Sequence, residues 1–285
     1  MIASLMLLAC CQKPSPPISP HYVAGEAWRA QGIWHYPQDS LEFDQTGIAA
    51  VYRNPPRLMI DGEAYDAAAL TGSLQTVGLP AVANVTNLDN GLQLTIRIND
   101  RGPADPGRII AVTPVVAKLL EFGAMGVARV RVELLVPESR AAAEAFPGGA
   151  GVPLDVGLAP TGVVRQDDLA PPAGIRQAVL AHAASVHATP MPAADPPSHL
   201  PATLRRMASR PGTLMIELGS FSRRDLAELQ RARLGAVDSR VEASRNGRTT
   251  DFLVGLGPYD TIEDADAALA RAIAAGAADA RIVVK

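Results

Sequence analysis

The sequence predicts a mainly β domain built as a small closed barrel, then a Pro- and Ala-rich linker, then an α+β domain of pattern β-α-β-β-α-β. Three observations carry this. Residues 46–135 hold several short alternating strand patterns around one short helix pattern. Twelve of the 24 prolines fall in residues 136–212, where Phe146 is the only aromatic. Such a stretch buries too little apolar surface to offset its ordering entropy. Residues 213–285 return to regular periodicity, with two helix patterns set between strands. A chain of 285 residues that is 48% apolar supplies a core for two small domains.

At the N-terminus, Ile2 to Ala9 is a short apolar run, and Leu7-Leu8-Ala9-Cys10 fits a bacterial lipoprotein signal. Ala9 is the small residue before cleavage, and Cys10 becomes the lipidated first residue. An ordinary signal-peptide core is the alternative, and no Lys or Arg precedes the run. The run is too short to span a membrane as a helix. Cys10 and Cys11 are the only cysteines, and as neighbours they make neither a disulfide framework nor a metal cluster. Residues 1–20, with Pro14, Pro16, Pro17 and Pro20, read as signal and tether. A net charge of −3 without a basic stripe argues against nucleic acid as the main partner.

Residues 21–135 read as a lead-in and the barrel, the barrel itself from about residue 46. Trp28 and Trp34 lie in the lead-in, either packing it onto the barrel or offering a sugar-stacking platform. Val82 to Leu88 and Leu92 to Ile98 form a hairpin around Asp89-Asn90-Gly91, because Asn-Gly favours the tight turn. Thr113 caps a helix that starts at Pro114, buries Val116, Leu119 and Leu120, and stops at Gly123. Arg129 to Leu134 alternates, with Val130, Val132 and Leu134 inward.

In the C-terminal domain, strands cover Leu214 to Leu218, Val237 to Ala243, Phe252 to Leu256 and Arg281 to Val284. Asn246-Gly247 turns between the middle two. Ser222 caps a helix with Leu226, Leu229 and Leu234 on its apolar side. Thr261 caps a second, carrying Ala265, Ala268, Leu269, Ala272 and Ile273 and stopped by Gly276. The order implies an antiparallel four-stranded sheet with both helices on one face and the other face open.

Two acidic motifs draw attention: Gly62-Glu63-Ala64-Tyr65-Asp66 and Asn99-Asp100-Arg101-Gly102-Pro103. Asp100 continues the apolar phase of Leu94, Ile96 and Ile98, which puts it half-shielded at the barrel mouth. Desolvation there raises a carboxyl's pKa and favours a proton donor. A turn aspartate bonding local backbone is the other reading. Arg101 either pairs with a carboxylate or substrate or stands outward as a structural arginine.

These residues resemble a family. Residues 22–135 are similar to the rare lipoprotein A group of septal lytic transglycosylases, through Tyr22-Val23-Ala24-Gly25, Gly32-Ile33-Trp34-His35-Tyr36-Pro37, Gly47-Ile48-Ala49-Ala50-Val51-Tyr52, Val85-Thr86-Asn87-Leu88-Asp89-Asn90-Gly91 and the two acidic motifs. Residues 213–285 resemble a SPOR domain through Glu217-Leu218-Gly219-Ser220-Phe221 and Val254-Gly255-Leu256-Gly257-Pro258-Tyr259. The resemblance implies a six-stranded double-psi β-barrel and a ferredoxin-like βαββαβ SPOR domain. It implies cleavage of the N-acetylmuramic acid–N-acetylglucosamine bond of peptidoglycan without water, leaving 1,6-anhydro ends. It makes Asp100 the acid/base and Glu63 the second catalytic carboxylate, supported by Asp66, Arg101 and Asn99. It makes Glu217, Ser220, Phe221 and Tyr259 candidates for glycan binding. No metal or organic cofactor is implied. The implied partners are glycan strands, including strands without stem peptides, the membrane through lipid on Cys10, and divisome proteins. The implied place is the periplasmic face of the outer membrane.

The sequence also departs from the family pattern. Leu74 stands where the family carries a histidine, and leucine neither holds nor orients a proton. Met59-Ile60-Asp61 replaces a Thr-Ala-Asn segment, Glu217 a usual glutamine, and Leu253 a common arginine. Two readings follow: an active endolytic transglycosylase, or a catalytically impaired, wall-binding division lipoprotein.

Overall fold

The computed structural model describes residues 17–38, 43–149, 203–235, 239–246 and 249–285. Cys10, the apolar run before it, most of the 136–212 segment and Gly247 of the Asn246-Gly247 turn lie outside them. In the lead-in, β1 (Trp28–Ala30) and β2 (Ile33–His35) form a small antiparallel ribbon.

Six strands then close the barrel: β3 (Asp44–Val51), β4 (Thr71–Leu74), β5 (Ala81–Asn87), β6 (Leu92–Arg101), β7 (Arg108–Val112) and β8 (Val127–Leu134). The order β4-β7-β3-β8-β5-β6 is closed by β4 pairing with β6, so no barrel strand is left with a free edge between them. Two pairings are parallel, β3 with β7 and β4 with β6, and the rest are antiparallel. This is the double-psi barrel that the resemblance implied. Leu74, Val85, Leu94, Ile96, Ile98, Ile110, Val112, Val130 and Val132 fill its core.

Helix α1 (Pro114–Leu119) plugs the barrel with Val116, while Leu120 follows as its fully buried C-cap. Its start agrees with the sequence, but the Thr113 hydroxyl donates to Ala69 O at 2.6 Å instead of capping. Its stop lies earlier than predicted, where Glu121 turns left-handed at φ 54°, two residues before Gly123.

The segment read as linker from residue 136 begins with structure. Helix α2 (Val136–Glu144) packs on β5. Ser139 Oγ accepts from Val82 N at 2.9 Å and donates to Val82 O at 3.0 Å, and Ala143 and Phe146 are buried. Alanine's high helix propensity outweighs the proline average of the longer window. Near the segment's other end, β9 (Leu204–Arg206) adds to the outer edge of β6.

The C-terminal domain holds β10 (Leu214–Phe221), α3 (Arg224–Leu234), β11 (Arg240–Asn246), β12 (Thr249–Tyr259), α4 (Ile262–Ala274) and β13 (Arg281–Val284). The antiparallel order β11-β12-β10-β13 gives the βαββαβ sheet that was expected. Thr261 caps α4 by accepting from Asp264 N at 3.1 Å. On α3 the apolar stripe differs from the prediction. Ala227 is buried and Leu234 packs on the core, whereas Leu226 and Leu229 are exposed. Positions 227 and 234, seven apart, share one helix face, and the flanking leucines fall outside it. Arg223, not Ser222, takes the N-cap position, without a side-chain bond.

The two domains share a buried seam. Ile48 and Leu88 of the barrel belong to the same apolar cluster as Leu214, Leu269 and Ile282. Thr46 Oγ1 donates to Val284 O at 2.6 Å and accepts from Val284 N at 3.2 Å. Arg108 grips Asp266 with two bonds of 2.7 and 2.6 Å. Gly107, at φ +73°, leaves room for Leu269, which a β-carbon there would approach to 2.5 Å. Arg108→Asp is expected to open the seam, read as a larger radius of gyration by small-angle X-ray scattering. Adding Asp266→Arg is expected to restore the compact value; an unchanged profile for the single variant would show that the seam holds without this pair.

Candidate active site

Strand β6 and the loop of residues 59–66 build the site together. Along β6 the inward phase of Leu94, Ile96 and Ile98 runs on to Asp100, which is buried. The other phase carries Arg97 and Asn99, also buried. The loop is tied to the strand by its backbone, with Asp61 N donating to Asn99 O at 3.3 Å. Ile60 N donates to Asp100 Oδ1 at 3.2 Å.

This brings Glu63 onto the Arg97 and Asn99 side. Arg97 Nη2 and Asn99 Nδ2 both reach Glu63 Oε2, at 2.5 and 2.9 Å. Two donors on one oxygen suit a carboxylate acceptor. Asp100 stands differently. Burial pushes its carboxyl up to about 6, against the pull of the backbone N–H groups of Arg101 and Ile60 and of the Arg101 charge. Across the parallel β4–β6 pair, Ser73 is its register partner. The Tyr52 phenol is pushed up by burial and by the Asp100 charge.

Asp66 is exposed and turns its Oδ1 onto Ala68 N at 2.8 Å. It lines a cleft of ≈ 220 Å³ with Glu63, Arg97, Asn99, Ile18 and Pro20. Arg101 points elsewhere. Its guanidinium donates to the carbonyls of Val77 and Ala24 and so fastens the lead-in to the barrel. Gly25 accommodates it, since a β-carbon there would collide with the guanidinium. Burial lowers Arg101 to about 10.

Three contributors escaped the sequence reading. Arg97 was an outward residue of an alternating strand, and nothing local linked it to Glu63, 34 positions away. Asp61 was noted only as a departure from a pattern, yet it is fully buried. The chain just before Tyr22 forms a strap over the acidic loop. Ser19 N donates to Gly62 O at 3.2 Å and His21 N to Asp61 O at 2.8 Å. The His21 ring bonds Ser19 O at 2.8 Å. Gly62, at φ +86°, has no room for a side chain beneath the Ser19 carbonyl. Leu74 is fully buried in the barrel core.

The lead-in tryptophans divide their duties. Trp28 packs inward, donating Nε1–H to Gln75 O at 3.0 Å and stacking on His35. Trp34 and Tyr36 are exposed and stack on each other, ring centres 6.5 Å apart.

On the C-terminal sheet, the proposed glycan binders split between faces. Glu217 and Ser220 pair with Gly255 and Leu253, on the face opposite the helices. Phe221 and Tyr259 pack against the helix-side core instead. A bulge between Glu217 and Gly219 shifts the alternation of β10 between these residues. Glu217 is only 15% exposed and pairs with Arg281 at 2.8 Å and Lys285 at 3.9 Å.

Comparison with known proteins covers both domains. Residues 44–132 match the lytic transglycolase family, and residues 211–283 match the SPOR domain. The endolytic peptidoglycan transglycosylase RlpA of Pseudomonas aeruginosa is 33% identical over 252 residues, covering 85% of this chain and 71% of that protein. RlpA of Neisseria meningitidis is 38% identical over 120 residues, 41% of this chain and 50% of that one. RlpA of Escherichia coli is 41% identical over 85 residues, 29% of this chain and 24% of its own length. The two domain matches in this order, and a relative aligned along most of both chains, make this chain a member of the RlpA family.

Proposed function

We propose that this chain is an endolytic lytic transglycosylase acting on peptidoglycan glycan strands in the cell envelope. The observation that carries the reading is a buried Asp100 raised to about 6 on β6, the strand whose Arg97 and Asn99 fix Glu63 on its other face. At mildly acidic pH Asp100 keeps its proton and can give it to the glycosidic oxygen as the C1–O bond breaks. The muramic 6-hydroxyl oxygen bonds to C1, and its proton returns to the Asp100 carboxylate. One carboxyl thus serves as acid and then base. Glu63, negative and rigidly held, stabilises positive charge developing at C1. Asp66 and Asn99 border the same cleft as Glu63, in supporting positions; Arg101 supports the site by holding the lead-in.

The impaired reading rests on one observation, the leucine at position 74 inside the apolar core. Digestion of purified glycan strands without stem peptides, followed by mass analysis, separates the two. Soluble fragment is expected to leave 1,6-anhydro ends, and Asp100→Asn to lower their formation by at least about a hundredfold, the usual scale for losing a general acid. No anhydro ends from the wild type, where an active relative produces them, would overturn the enzyme reading. Because the protonated form of Asp100 is the donor, turnover is expected to fall as pH rises through about 6.

For the SPOR domain we propose weakened binding to strands without stem peptides. Those strands carry lactyl carboxylates, and Glu217 adds a like charge to the open face. Glu217→Gln is expected to tighten binding about two- to fivefold in a sedimentation assay, because it frees the exposed Arg281 and Lys285 from their partner, on the scale of one surface ion pair. Unchanged binding would remove Glu217 from that face's function.

The lipid anchor on Cys10, the outer-membrane location and action at the division septum belong to the same proposal. Cys10→Ser is expected to move the protein from the membrane fraction to the soluble periplasm; continued membrane retention would argue against the anchor.

A further inference from the structure

The lead-in ribbon shows water a face that its own packing does not explain. Gln31 and Gly32 both turn left-handed, at φ 47° and 87°, which suits the tight turn joining β1 to β2. The register pairs Trp28 with His35, Arg29 with Trp34 and Ala30 with Ile33. The ring of Trp28 is therefore on the inner face with His35, and Arg29, Trp34 and Tyr36 share the outer one. Trp34 is 53% exposed and Tyr36 63%. The Arg29 guanidinium stands 6.0 Å from the Trp34 ring centre, at the outer limit of a cation–π contact. Two stacked rings left in water mark a contact surface, where single scattered ones do not.

The ribbon is also fixed in place. Its inner face is pinned by the bond from Trp28 Nε1–H to Gln75 O, and just beyond it Gln38 N donates to Thr76 O at 2.8 Å. Gln75 in turn donates Nε2–H to Pro103 O at 2.9 Å, in the same acidic motif as Asp100. One side chain thus ties the aromatic platform to the candidate active site. Trp34 borders a cleft of ≈ 240 Å³. Sites that enclose a whole small compound typically measure about 300–1,000 Å³, so this one suits a part of something longer. Polar side chains reach the cleft from three places: Gln45 from β3, Asp105 from the loop between β6 and β7, and Asp279 and Arg281 from the C-terminal domain. Carboxylates accept from hydroxyls, and amide and guanidinium groups donate to them. An aromatic ring takes the C–H face of a sugar.

Resting on the transglycosylase reading above, we propose that Trp34, Tyr36 and the adjoining cleft form a second saccharide site, which holds a β-1,4-linked amino-sugar strand away from its cleavage point. A ring of the strand stacks on Trp34, and its hydroxyls meet the polar side chains of the cleft. Arg29, on the outer rim, pairs with the lactyl carboxylate of a muramic unit. Charge decides against other occupants. An apolar protein partner would bury Asp105 and Asp279 without a replacement for their water. An anionic membrane surface calls for a cluster of cations, and here Arg29 and Arg281 stand beside two carboxylates. The C-terminal domain supplies one wall of the cleft, so the seam held by Arg108 and Asp266 completes this site as well as joining the domains.

The test uses the mature chain carrying Asp100→Asn, so that no strand is cut during the measurement. The probes are peptide-free glycan strands and chitohexaose, a neutral β-1,4-linked N-acetylglucosamine oligomer. Trp28 and Trp34 are the only tryptophans, so a blue shift of their emission on adding chitohexaose is expected from the exposed ring. Adding Trp34→Ala is expected to abolish that shift and to weaken both probes about tenfold by calorimetry, the scale of one stacked aromatic anchor. Its Tm is expected to stay unchanged, because the ring is exposed. Trp34→Phe keeps a ring and is expected to bind within about threefold of the parent. Arg29→Ala is expected to weaken the strands about two- to fivefold and to leave chitohexaose unaltered. Equal affinity with and without Trp34→Ala would overturn the proposal, and so would equal losses in the alanine and phenylalanine variants. A Trp34-dependent dimer, or Trp34-dependent capture by anionic vesicles, with no response to either saccharide would overturn it too. Trp34-dependent binding without anhydro ends from the wild type would overturn the transglycosylase reading alone; anhydro ends without that binding would overturn this site alone.

Discussion

The site depends on β6 being held on both flanks. It lies between β4, parallel, and β5, antiparallel, and β9 adds to its beginning. A strand fixed this way cannot slip by one residue without moving Leu94, Ile96 and Ile98 out of the core. The register that satisfies the core also fixes Arg97 and Asn99 on one face and Asp100 on the other. The loop of residues 59–66 then folds against the strand's end through backbone bonds, so both acidic motifs meet by way of one rigid element.

Electrostatics follow from that packing. Arg97 and Glu63 form a pair whose side chains are 9% and 14% exposed. Removing one partner of such a pair leaves an uncompensated buried charge, typically about 3–5 kcal/mol. The remaining carboxyls receive backbone N–H groups and the more distant pull of an arginine, Arg101 for Asp100 and Arg97 for Asp61, and burial outweighs both. Burial raises both, and the site gains groups that hold protons near neutrality, where free carboxyls do not.

What the sequence disclosed, and what it hid, follows the range of the interactions. The hairpin at Asn90-Gly91, the alternation of β8 and the Thr261 cap are settled within a few residues, and they were legible. Asp100 was legible as a buried residue because it continued an apolar phase. Arg97 was not, because its partner lies 34 residues back and an arginine on an alternating strand ordinarily meets water. Helix α2 was hidden by a window average over a proline-rich stretch, although Ala141 to Ala143 are good helix formers. The exposed Leu226 and Leu229 show the reverse error, since apolar residues near a helix stripe are not always on it. Phe221 sits on the helix side because the bulge between Glu217 and Gly219 shifts the alternation of β10, which the resemblance did not disclose.

The strap over Gly62 has a mechanical meaning. Ile18 and Pro20 wall the cleft, and their neighbours Ser19 and His21 are bonded to the carbonyls of Gly62 and Asp61. Any pull on the residues before Ile18 is therefore carried first by these two backbone bonds, and only afterwards by the barrel. One wall of the cleft is thus held by backbone alone, and its position follows that of the acidic loop to which it is bonded.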